Sequence, residues 1–129
     1  MIKLNDIKVK IEEINKDIPN INYGGCGTLS YHLKKVLDEK YDIKSDIYYL
    51  PGSPAAIEYD VLFHHIVLKI DDIIIDNNGF YENGIGWSKD LKSLPEEKLK
   101  EMIDIPELWN NKFYSDSNIK ELVERIYQI

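Results

Sequence analysis

The stretch Phe63-His64-His65-Ile66-Val67-Leu68-Lys69-Ile70-Asp71-Asp72-Ile73-Ile74-Ile75-Asp76-Asn77-Asn78 reads as two apolar strands joined at a tight turn. Val61 to Ile70 and Ile73 to Asn78 are rich in β-branched residues, which suit a pleated and packed surface. Asp71-Asp72 serves as the two-residue connection, although it is a weaker type I′ pair than Asp-Gly or Asn-Gly. Ile70 then faces Ile73, Lys69 pairs with Ile74, Leu68 with Ile75, Val67 with Asp76 and His65 with Asn78. Side chains alternate along a strand, so His65, Val67, Ile74, Asp76 and Asn78 share one face. His64, Ile66, Leu68, Ile70, Ile73 and Ile75 share the other, and this almost wholly apolar set is the expected core face.

On the first face Asp76 lies diagonal to His65, a separation that side chains can bridge. An imidazole held by an acid on the neighbouring strand is what a general base needs. The acid sets the tautomer and stabilises the imidazolium that forms. His64 competes for the same role, and a bulge in the strand would exchange the two histidines. The plainer reading is a partly buried strand histidine, with Asp76 closing a turn ahead of Asn77-Asn78-Gly79. A metal held by Cys26, His64, His65 and Asp76 is disfavoured, because adjacent strand residues point to opposite faces. No metal or other cofactor is expected.

Upstream, the one cysteine of the chain stands in Tyr23-Gly24-Gly25-Cys26-Gly27-Thr28. It opens a helix from near Cys26 to Lys40, with Leu29, Leu33, Val36 and Leu37 in one stripe. Unpaired amides and the positive end of the helix dipole favour a thiolate there, and the glycines leave room for a carbonyl to approach the sulfur. A lone cysteine is otherwise most often a small buried hydrophobe.

Taken together, the Cys26 helix, His65-Ile66-Val67-Leu68-Lys69 and Asp76 resemble the papain-like superfamily, and within it the transglutaminase-like branch. The resemblance spans about Asn20 to Gly79 and is one of pattern. It implies an α+β core in which the cysteine helix packs on a small antiparallel sheet. It also implies Cys26 as nucleophile, His65 as base and Asp76 as the orienting acid. The implied activity is a thiol-dependent hydrolase, a peptidase or amidase working through an acyl-enzyme on a protein or peptide. The papain-type glutamine of the oxyanion hole is absent upstream, leaving Asn20, Asn22 or Tyr23 as donors beside the Cys26 amide. His64 and Asn78 are further candidates near the site, and Tyr23, Tyr81 or Trp87 would wall the substrate. An N-acyltransferase or transglutaminase-like enzyme, or a non-catalytic acidic binding module, fits the same pattern.

The rest of the chain frames this core. Leu4, Ile7, Ile11, Ile14 and Ile18 mark an amphipathic helix over about Asn5 to Asp17, ended by Pro19. Ile43, Ser45, Ile47 and Tyr49 predict a half-buried strand ending near Leu50, before the Pro51-Gly52-Ser53-Pro54 turn. Phe80 to Asp90 reads as an exposed loop. Ser93-Leu94-Pro95-Glu96 has the form of a capping box starting a helix to about Ile103. Asp116-Ser117 caps a last helix carrying Ile119, Leu122, Val123 and Ile126.

A chain of 129 residues with 43% hydrophobic residues suits one domain. Its net charge of −7 disfavours a nucleic-acid partner. No apolar run approaches the roughly 20 residues of a membrane span. One cysteine and no signal-peptide pattern at Met1-Ile2-Lys3-Leu4 predict a reducing, cytoplasmic setting.

Overall fold

Isoleucines spaced three and four apart build the first helix, α1 (Leu4–Asp17), because that spacing lines them along one side. Ile7, Ile11, Ile14 and Ile18 are all buried, the last with its amide on the Ile14 carbonyl at 2.9 Å. The structure is a computed structural model and describes residues 4–18, 26–51, 63–76, 79–81, 91–104 and 116–129.

The second helix, α2 (Cys26–Tyr41), starts where the pattern places it, at the cysteine. It ends through Asp42, which takes a left-handed φ of 54°. The Ile43 amide then reaches back to the Leu37 carbonyl at 2.8 Å, filling an acceptor that the helix end leaves open. That closure consumes residues 42–45. The strand expected from Ile43 therefore begins only at Asp46, as β1 (Asp46–Pro51).

The hairpin forms β2 (Phe63–Ile70) and β3 (Ile73–Asp76). Its register is the expected one over Ile70–Ile73, Lys69–Ile74 and Leu68–Ile75. Only Asp71 of the turn pair has a positive φ, 51°, so the connection is not type I′, which needs both. The chain folds back once more as β4 (Gly79–Tyr81), pairing Asp76 with Gly79 and Ile75 with Phe80. The loop expected over Phe80 to Asp90 is corrected at its start, because Phe80 and Tyr81 find backbone partners on β3; residues 82–90 lie outside the described residues.

Ser93 is also reassigned. It lies in β5 (Lys92–Ser93), opposite Tyr48, and not at a helix cap. The Leu94 amide donates to the Ile47 carbonyl at 2.9 Å, so this segment is drawn to the sheet edge. The helix α3 (Glu96–Ile103) follows, with the Pro95 carbonyl accepting from Leu99. A last helix, α4 (Asp116–Tyr127), matches its expected start.

The result is α+β, with an antiparallel sheet in the order β4-β3-β2-β1-β5. Helix α2 sits centrally, touching β1, β2 and β3 as well as α3 and α4. One apolar cluster joins Leu29, Leu33 and Leu37 of α2 to Ile47, Ile66, Leu68 and Ile75 of the sheet. This is the face read as core. The opposite face is buried as well: Val67 is 0% exposed, Ile74 1% and Asp76 3%, and none of the three belongs to that cluster. Among the described residues no helix is long and apolar enough to cross a membrane.

Candidate active site

Cys26 is the first residue of α2, a free thiol at the helix end where amides lack intrahelical partners. It is only 6% exposed and belongs to the apolar cluster. The whole opening turn is buried with it, through Gly27, Thr28, Leu29 and Ser30. Small side chains at 27, 28 and 30 let this turn come close to the sheet. The Ser30 hydroxyl, one turn on from Cys26, donates to the Ile66 carbonyl of β2 at 3.5 Å. The thiol-bearing turn therefore lies against the strand that carries both neighbouring histidines.

His64 and His65 stand near the start of β2. Leu50 pairs with His65 and Pro51 with Phe63, so one step along β1 matches two along β2. A β-bulge therefore falls at His64. His65 keeps the parity of Val67, and strict alternation ends there. The bulge lies beyond His65, where pairing with β1 is regular, so it leaves unchanged the parity that sets Val67 and Asp76 on the side away from α2; the expectation that the Cys26 helix faces that side is corrected accordingly.

Asp76 closes β3, is 3% exposed, and takes part in a polar interaction. A carboxyl so withdrawn from water is stable only with such a partner. Asn20, Asn22, Tyr23, Asn78 and Trp87 lie outside the described residues. Among the described residues no three histidine, cysteine or acidic side chains gather as metal ligands.

The structure also places a histidine that the sequence reading leaves aside. His32, on α2, has its Nδ1 3.1 Å from the Tyr127 hydroxyl of α4 and meets the Tyr31 ring edge-on at 5.0 Å. Lys35 and Lys100 both stand over the Tyr31 ring, at 5.1 and 6.0 Å. Burial first, then the Lys100 and Lys35 charges, push His32 below its usual 6.5. It is six residues beyond Cys26 on the same helix, about 9 Å along the axis, and its ring is engaged with Tyr127. No local pattern signals this cluster, because its partners are 95 residues apart in the chain.

No family model, curated protein or solved structure matches the chain.

Proposed function

We propose that the protein is a small thiol-dependent hydrolase of the papain-like kind, in the transglutaminase-like branch, acting on a protein or peptide amide. The observation that carries this reading is the packing of the Cys26 turn on β2, the strand of the histidine pair. The order Cys26, His65, Asp76 along the chain supports it further.

In the proposed reaction the Cys26 thiolate adds to the substrate carbonyl, and the Cys26 amide at the start of α2 donates to the oxyanion. The imidazolium of the histidine protonates the departing amine, the C–N bond breaks and a thioester remains. Water, deprotonated by the same histidine, attacks the thioester. The acid product leaves and the thiolate is restored. Asp76 orients the base through its far nitrogen. If an amine enters in place of water, the same intermediate gives acyl transfer, and trapping it before offering both nucleophiles separates these two outcomes.

The burial of Cys26 in an apolar cluster favours a second reading, an inert thiol in a non-catalytic binding module. Amide hydrolysis by the wild type and Cys26→Ala decides between them. The hydrolase reading expects activity that is lost in a folded variant. Undiminished turnover by Cys26→Ala, or a wild-type thiol that ionises at about 8.5 like a free one, rejects it.

A further inference from the structure

We infer that Ser30 is a positioning residue, holding the Cys26 turn at a set height over β2. This rests on the reading of Cys26 as a nucleophile and adds the element that keeps thiol and histidine in register. Ser30 is four residues after Cys26, so the two share a side of α2 one turn apart. At 2% exposure its hydroxyl is out of reach of bulk water and must find a partner inside the protein. The partner is the carbonyl of Ile66, next along β2 from His65.

Backbone carbonyls of a strand move with the strand. A bond to Ile66 therefore ties the helix turn to the segment that fixes where the histidine pair begins. Apolar contacts do not do this, since they have no direction and allow the helix to slide. Leu29 and Leu33 hold α2 on the sheet; Ser30 selects one height for its N-terminal turn. The 3.5 Å separation is long for a hydroxyl donor, so the bond is a weak one. Its effect on Cys26 is accordingly modest.

The test reads the thiol directly. Iodoacetamide alkylates Cys26 through its thiolate, so the rate followed over pH 5 to 9 reports how far the thiolate is stabilised. Ser30→Ala removes the hydroxyl with little change of volume. Ser30→Thr keeps it, and circular dichroism checks that both fold. The expected result is a wild-type profile with its midpoint below that of a free thiol. Ser30→Ala should shift it upward and lower the rate at pH 6 roughly two- to fivefold, the scale of one hydrogen bond, with Ser30→Thr restoring most of it. A depressed wild-type midpoint unchanged in Ser30→Ala overturns the role of Ser30 alone. A wild-type midpoint like that of a free thiol overturns the nucleophile reading and this inference with it.

Discussion

Val67→Thr leaves the volume of the side chain almost unchanged but adds a hydroxyl to the sheet face turned away from α2. Val67 is 0% exposed, with Ile74 at 1% diagonal to it and Asp76 at 3% next in the same register, so the new hydroxyl has no water to meet and the one carboxyl across from it already has a partner. Burying a hydroxyl without a good partner costs about 1–3 kcal/mol in proteins. For a chain of this size each kcal/mol moves Tm by roughly 3–5 °C, so a fall of roughly 3–15 °C is expected. Val9 supplies the matched control. It is 45% exposed on α1, and the same change there should stay within about 0.5 kcal/mol. Urea unfolding followed by circular dichroism, with the slope unchanged between variants, gives both values. If Val67→Thr costs no more than Val9→Thr, that face is wet and the two-sided burial of the sheet is wrong.

Two other outcomes are expected. Asp42→Gly should stabilise the fold by about 0.5–1 kcal/mol, because glycine adopts the left-handed φ at the end of α2 without a Cβ clash; a lower urea midpoint would reject this account of the helix end. Acid should weaken the α2–α4 contact through His32. Burial and two nearby ammonium groups keep its folded pKa below 6.5, so the unfolded chain binds the proton more readily. The neutral-state advantage is present above 6.5 and is lost as pH falls below it toward the folded value. The urea midpoint of the wild type should therefore drop more steeply than that of His32→Gln as pH is lowered through 6.5, and parallel curves would contradict it.

Local pattern revealed those parts of the fold whose causes are local. The Ile7, Ile11, Ile14, Ile18 spacing is itself the helix face, since 3.6 residues make a turn wherever the chain goes afterwards. The hairpin register from Ile70–Ile73 outward was equally legible, because a two-residue turn leaves one way to pair the strands. Strand β4 was not legible: Gly79–Tyr81 is three residues long, too short to show a period. Ser93 had the spacing of a cap but was taken by the edge of β1, a contact 45 residues away that outweighed local preference.

The candidate site divides along the same line. Periods of 3.6 and 2 were enough to open a helix at Cys26 and to give His65 and Asp76 the same strand parity. Helix α2 covers the Ile66, Leu68, Ile75 face that the pattern marks as core, whereas burial of the opposite face, with Val67, Ile74 and Asp76, came only from the assembled fold. Tertiary structure alone put a bulge at His64 and joined His32 to Tyr127. These depend on how distant segments pack and pair. Short-range periodicity holds no information about a partner strand that skips a residue, or a helix that arrives 95 residues later.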